Sequence, residues 1–157
     1  MLTEISPEVI DHLLSNQYFG RMACSADNQV LIAPMMFCFD GRYIYGITRE
    51  GTKLQMLRKN PNVAFEIDDM VSPGVWCSIV IQGEFEELQG EKREYAVYLL
   101  RDRRVPIFAN ETVGHLGENH HDDPKFITAV VYRIHIKIKT GRCYQQEFEF
   151  RPSLDTT

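Results

Sequence analysis

The chain is short of what marks a secreted, membrane-bound or nucleic-acid-binding protein. No stretch approaches the roughly 18 apolar residues a membrane helix needs. The opening MLTEISPEVIDHLL has neither the basic start nor the apolar core of a secretory signal, so a cytoplasmic protein with no membrane partner is expected. Positive charge is in deficit. Lys and Arg number 17 against 22 Asp and Glu, a net charge of −5. That argues against nucleic acid as a partner and still leaves room for a local pocket that takes one phosphate. The four cysteines, Cys24, Cys38, Cys77 and Cys143, form neither a CxxC pair nor a zinc knuckle. Three of them sit in apolar runs, and reduced structural thiols are expected. The GxxxxGK[ST] phosphate loop is absent, and no Ser-His-Asp or Cys-His arrangement can be assigned, so no catalytic residue is named.

What is present is a run of β signals between three helices. The 157 residues are expected to form one domain, with a core over about 3–144 and a C-terminal tail over 145–157. Ser6 is placed to cap a first helix that Pro7 opens, with Val9, Ile10, Leu13 and Leu14 as its apolar stripe. Strands are expected at 18–26, 29–39 and 42–48, separated by Asp27-Asn28 and Asp40-Gly41 turns. Pro34 marks an edge or a bulge, because it cannot donate to a ladder. A short helix at 50–59 ends at Asn60-Pro61, and strands follow at 62–68 and 75–88, the second bent at Gly83. A third helix runs from Glu91 to about Arg103, with Tyr95, Tyr98 and Leu99 expected on its buried side. In the last strand Ile134, Ile136 and Ile138 alternate with Arg133, His135, Lys137 and Lys139, giving one core face and one wet face. Six strands with turn-rich connections and flanking helices point to a mainly β protein, a small antiparallel barrel.

The stretch from Ile47 to Pro61, ITREGTKLQMLRKNP, carries the chemistry. A strand ends at Thr48, a glycine-containing turn follows, and a helix opens with Thr52 and Lys53. The first turn of a helix has unpaired N–H groups and partial positive charge, which suits a phosphate. Thr52 adds a hydroxyl, Lys53 a full charge, and Gly51 close approach, with Arg49 and Arg58 able to add charge from either side. Taken alone, a threonine-lysine pair opening a surface helix is more often a solvated helix start.

Other polar groups read more plainly. Asn119, His120, His121, Asp122 and Asp123 form a polar loop and not a metal site, because adjacent residues seldom converge on one ion. His12 flanks the first helix and His135 lies on the wet side of the last strand. His115 falls in the poorly patterned 105–126 region, where a loop over a ligand would bring it to substrate. Trp76, the single tryptophan, is expected to pack in the core.

In order, the proline-containing hairpin, the strand ending in Thr48, the Gly51-Thr52-Lys53 helix start, the WCSIVIQG strand, the acidic FEEL and the closing VVYRIHIKIKTGR resemble the FMN-binding split β-barrel family. These are the relatives of pyridoxamine 5′-phosphate oxidase, and the chain is most similar to their nitroimidazole-reductase-like branch. The resemblance covers residues 3–144. It implies a six-stranded antiparallel split barrel of the FMN-binding type, acting as a homodimer with flavin at the subunit interface. It implies that the backbone of Leu31, Ile32, Ala33, Pro34, Met35 and Met36 lies along the flavin ring, and that Ile47 and Thr48 contact the cofactor. Thr52 and Lys53, with Gly51 and Arg49 beside them, fall on the phosphate site. Ser78 reaches the cofactor from across the groove, with Trp76 nearby. The chain departs from the oxidase in having Thr52 beside the lysine, Leu31 and Ile32 without a basic residue, and a tail poor in Trp and Arg.

The implied activity is an FMN-dependent oxidoreductase passing electrons from NADH or NADPH to a small organic, nitroaromatic acceptor. The alternative is a flavin- or haem-binding module that senses or stores its ligand without turnover, and a deazaflavin would fit the same groove. The apolar side chains of Met35, Met36, Phe37 and Phe39 exceed what one small barrel needs, which agrees with a dimer.

Overall fold

A computed structural model describes residues 1–102 and 128–146. The first helix, α1 (Pro7–Asn16), starts where Ser6 accepts from the Val9 amide, and it buries Ile10 and Leu14. Two further helices, α2 (Thr52–Lys59) and α3 (Gly90–Asp102), lie between strands. The strands are β1 (Leu2–Glu4), β2 (Phe19–Ala26), β3 (Gln29–Met36), β4 (Cys38–Phe39), β5 (Tyr43–Thr48), β6 (Asn62–Ser72), β7 (Val75–Glu87) and β8 (Val130–Gln145). They form one antiparallel sheet in the order β3-β2-β6-β7-β8-β5-β4, with β1 added against β8. The expected mainly β class with flanking helices is therefore what forms. All six expected strands are present, the one expected over 29–39 is split at Phe37 into β3 and β4, and only β1 is additional.

Local chemistry accounts for the turns. Asp27 and Asn28 both adopt positive φ, at 52° and 61°, as a two-residue hairpin between right-twisted strands requires. Asp40 closes the next turn, its Oδ1 accepting from the Arg42 and Tyr43 amides. Gly83 marks the register slip between β7 and β8, and a Cβ there would lie 2.4 Å from the His135 carbonyl oxygen. Glycine is the residue that lets the two backbones approach this closely.

The interior is filled by Met22, Phe37, Phe65, Ile79, Ile81 and Ile134, closed by Ile10 and Leu14 of α1 and Leu54 and Leu57 of α2. The α3 helix packs outside the sheet on Cys38, Tyr45 and Val131, using Ala96, Val97 and Leu100. This corrects the expected buried side. Tyr95 and Tyr98 are exposed, and Leu99 is partly buried.

Two further expectations are overturned. Cys77 and Cys143 are not free thiols. They oppose each other in the β7–β8 ladder with Cα atoms 4.0 Å apart and form a disulfide, while Cys24 and Cys38 remain buried thiols. Spacing along the chain, 66 residues, hid a pairing that only the strand register creates. Met35, Phe37 and Phe39 are not spare surface either, because all three are core residues and Met36 is partly buried. The exposed apolar side chains of the sheet instead include Val30 and Ile32 of β3, Val80 of β7 and Ile138 of β8, with Leu2, Phe19, Met70 and Val71 on β1, β2 and β6.

Among the described residues no helix is long and apolar enough to cross a membrane. The 119–123 polar loop, His115, Arg103 and Arg104, and the tail from 147 onward lie outside the described residues.

Candidate functional site

The turn from β5 into α2 leaves a helix start open. Thr48, buried at the strand end, is followed by exposed Arg49, Glu50 and Gly51. Gly51 stands at the cap position, so no side chain accepts from the first-turn amides. A Cβ at Gly51 would meet nothing within 4 Å, so the approach is unobstructed. Thr52 is exposed at the opening of this turn.

Lys53 turns inward. Its Nζ donates to the Met35 Sδ at 3.0 Å, joining α2 to β3. Burial pushes the Lys53 pKa down, and the nearby Cys24 thiol is pushed up, also by burial. No carboxylate pairs with this ammonium among the described residues. The other cations of α2 differ in this respect. Arg58 is clamped by Glu50 at 2.8 Å and Glu87 at 2.6 Å, and Lys59 pairs with Asp27 at 2.7 Å. Arg58 is thus a structural clamp and not a spare charge for a phosphate.

The β3 strand runs along the end of the sheet, next to Lys53. Leu31 and Ala33 pack against the core and Met35 is buried in it, while Val30, Ile32 and Pro34 point outward. The structure therefore gathers Leu31–Met36 and Lys53 on one side of the molecule, with Ile47 and Thr48 at the end of β5, which touches β3 although it is not its neighbour in the sheet.

Trp76 and Ser78 are not part of that group within one chain. They lie on β7, three places from β3 in the sheet. Together with Leu2, Asp68, Met70 and Arg142 they line a groove of about 760 Å³. Trp76 is half-buried and stacks on Tyr144, with ring centroids 5.9 Å apart, so it is not a core residue. The Ser78 hydroxyl donates to Glu66 at 3.3 Å, and Arg21 bridges Glu66 and Asp68 at 3.0 and 3.2 Å. Burial and the Asp68 carboxyl raise the Glu66 pKa, outweighing Arg21.

A second polar centre escaped the sequence reading. Glu86 accepts from Arg133 at 2.6 Å, lies 2.5 Å from His135 Nε2 and pairs with Lys92 at 3.5 Å. Burial alone would raise its pKa, but the hydrogen bonds from Arg133 and His135 win and hold it at about 2. Arg133 also covers the Tyr43 ring at 4.2 Å, and the Tyr45 hydroxyl donates to Asp40 at 3.0 Å. The signal was available, since acidic residues on β7 face basic ones on β8 once the strands are in register. His12 contacts Asn16 and His135 contacts Glu86, and no group of three or more metal-ligating side chains occurs among the described residues.

A family model described as pyridoxamine 5′-phosphate oxidase matches residues 6–143. The fold is similar to that of an FAD-binding protein of Mesorhizobium loti, with TM-score 0.72 and 22% identity over 93% of this chain and 98% of that one. A Bacteroides thetaiotaomicron protein described as a 5-nitroimidazole antibiotic resistance protein gives TM-score 0.69 and 15% identity, over 92% of this chain and 88% of its own. An FAD- and haem-binding protein of Mycobacterium smegmatis gives TM-score 0.70 and 17% identity, over 92% and 74%. An uncharacterized protein of Rhizobium meliloti is 34% identical over 69 residues, 44% of this chain, so the match spans only 46% of that curated relative. Likeness at these structural identities concerns the fold. The family model covers nearly the whole chain, and the protein belongs to the pyridoxamine 5′-phosphate oxidase family.

Proposed function

We propose that this chain is a homodimeric, FMN-dependent oxidoreductase of the cytoplasm, with the flavin phosphate bound at the start of α2. One observation carries the reading. Lys53 is a half-buried ammonium whose polar partner is a thioether, beside an uncapped helix start. A dianionic phosphate would satisfy both the charge and the open amides. Structural neighbours described as FAD-binding support a flavin.

The residues present fit that group. Lys53, Thr52 and the first-turn amides would hold the phosphate, Gly51 would allow its approach, and Arg49 flanks the turn. The backbone of Leu31–Met36, with Ile47 and Thr48, would border the ring. Trp76 and Ser78 lie on β7, three places from β3, and in this reading a second copy would supply them. The outward apolar side chains of Val30, Ile32, Val80 and Ile138 give such a copy a surface to bury. When bound, FMN supplies two-electron redox chemistry between NADH or NADPH and a small organic acceptor, for which we favour a nitroaromatic compound.

The test is titration of apo-protein with FMN, followed by oxidation of NADH and NADPH by the saturated complex with and without a nitroaromatic. Failure to bind FMN overturns the reading. A saturated complex that oxidises neither donor reduces it to a flavin-binding module without turnover.

A further inference from the structure

The cross-strand disulfide stands where two other features meet. Cys77 lies between Trp76 and Ser78 on β7, and Cys143 between Arg142 and Tyr144 on β8. In register, Trp76 opposes Tyr144 and Ser78 opposes Arg142, so the bond ties together the two backbone segments that carry one wall of the groove. Cys143 also opposes Thr3 of β1, whose hydroxyl donates to the Cys143 carbonyl at 3.5 Å. The β1 strand has three exposed residues and pairs with β8 alone.

Position in the ladder decides what the bond can do. Beyond it the β7–β8 ladder has only the Trp76–Tyr144 and Val75–Gln145 pairs. On the other side the ladder continues from Ser78–Arg142 to Glu87–Tyr132, where the core lies. Opening the bond therefore leaves the core and most of the ladder intact and frees the end that holds β1 and the groove wall. Accessibility points the same way. Cys77 and Cys143 are only partly buried, whereas Cys24 and Cys38 are 3% and 1% exposed. A reagent in solution can thus distinguish the two pairs.

We propose that Cys77–Cys143 is a reversible thiol–disulfide exchange site, opened in the folded protein by a dithiol, and that its redox state sets the Trp76–Arg142 wall of the groove. A thiolate of the dithiol attacks one cysteine sulfur, the S–S bond breaks, and the other cysteine leaves as a thiolate. The second thiol of the reductant then displaces the first cysteine. Two electrons and two protons reach the protein as two thiols, and the reductant departs as its own disulfide. Closure is the reverse, with an oxidised dithiol as acceptor. In a reducing compartment such a pair is open until oxidant closes it. The proposal does not depend on flavin binding.

The sequence supplies the reporter, because Trp76 is its only tryptophan and neighbours Cys77. The native full chain is treated with dithiothreitol and alkylated, and the modified cysteines are identified by mass spectrometry. Tryptophan emission and amide exchange are followed before reduction, after it, and after re-oxidation with oxidised dithiothreitol. The expected result is labelling of Cys77 and Cys143 alone, with reversible changes in emission. Roughly tenfold faster exchange is expected over 1–5 and 140–146, with 62–67 unchanged. The Cys77→Ser/Cys143→Ser variant should match the reduced protein and ignore dithiothreitol. A bond that opens only in denaturant overturns the exchange site, as do thiols that oxidised dithiothreitol cannot close. Labelling of Cys24 and Cys38 on reduction would make the bond a global staple, and identical emission and exchange in both states would remove its hold on the groove. Either result overturns the proposal.

Discussion

The Lys53 ammonium donates to the sulfur of Met35, 3.0 Å away, where a buried cation would ordinarily meet a carboxylate. A thioether is a weak acceptor, so the charge is poorly compensated and burial lowers the lysine pKa. The sign follows. An amine whose folded pKa lies below its unfolded value opposes folding while it is protonated. Stability should therefore rise as pH climbs through the lowered folded pKa toward the ordinary lysine value of 10.5.

Lys53→Met should accordingly act with opposite signs on stability and on binding. Without ligand, the variant should melt roughly 2–4 °C higher, about 1 kcal/mol for a chain of this size. FMN affinity should fall by about 10- to 150-fold, the loss of one charge-assisted contact of roughly 1.5–3 kcal/mol. Thermal melting and FMN titration of the same preparation measure both. A variant less stable than the parent, with affinity unchanged, would mean that Lys53 serves the fold and not a phosphate.

Glu86 sets an acid limb. Its folded pKa of about 2 lies below the ordinary glutamate value of 4.5, so its contribution is complete above about 4.5 and is lost as pH falls toward 2. Solvent screening reduces the nominal shift to roughly 1–2 kcal/mol of stability. Glu86→Gln should lower the melting temperature at neutral pH and flatten its fall between about 4.5 and 2, because the titrating group is gone. Parallel melting curves for the two proteins across that range would show that Glu86 does not set the limb.

Tyr132 is fully buried, and its hydroxyl has no hydrogen-bond partner among the described residues. It faces Gly46, where a Cβ would lie 2.3 Å from the oxygen. Removing a buried unsatisfied hydroxyl relieves a desolvation cost, so Tyr132→Phe should be neutral or stabilising by about 1 kcal/mol. Gly46→Ala should destabilise by roughly 1–3 kcal/mol through overpacking. Combining the two should recover part of that loss, since the nearest clashing atom is gone. Denaturant melts of the four proteins give the coupling directly. Strict additivity would mean that the glycine is required for another reason.

The legible features were those encoded locally. Asp27-Asn28, the Gly83 slip and the open helix start at Thr52-Lys53 each follow from residues within a few positions of one another. The alternation of β8 likewise separates Ile134 from Arg133 and His135, but it fails at Ile138, which was expected on the core face and is exposed beyond the register slip at Gly83. What stayed hidden depends on register or on sidedness. QVLIAPMM is apolar on both faces, so alternation could not say that Met35 turns inward while Val30 and Ile32 turn out. The β1 strand has no signal of its own and forms because β8 extends far enough to pair with it. The Cys77–Cys143 bond and the Glu86–Arg133 pair likewise exist only once β7 and β8 are aligned. Trp76 and Ser78 sit three strands from β3, a placement hidden from the sequence because the sheet order does not follow the chain order.

That separation yields the sharpest test of assembly. Val30 and Ile32 are 74% and 67% exposed on β3, so lysines there should change the stability of an isolated chain by no more than about 0.5 kcal/mol. If the same face is buried between two copies, two unpaired charges fall in an apolar contact, and Val30→Lys/Ile32→Lys should weaken association by more than about 2 kcal/mol, or roughly 30-fold. Sedimentation would then find monomer where the parent is a dimer, with the thermal melt of the chain retained. FMN affinity should fall with the dimer if, as proposed, the site takes Trp76 and Ser78 from a second copy. A variant that stays dimeric puts the interface elsewhere on the sheet. A folded monomer that binds FMN as tightly as the parent shows that one chain holds the cofactor unaided, and the shared site is then wrong even though the interface is right.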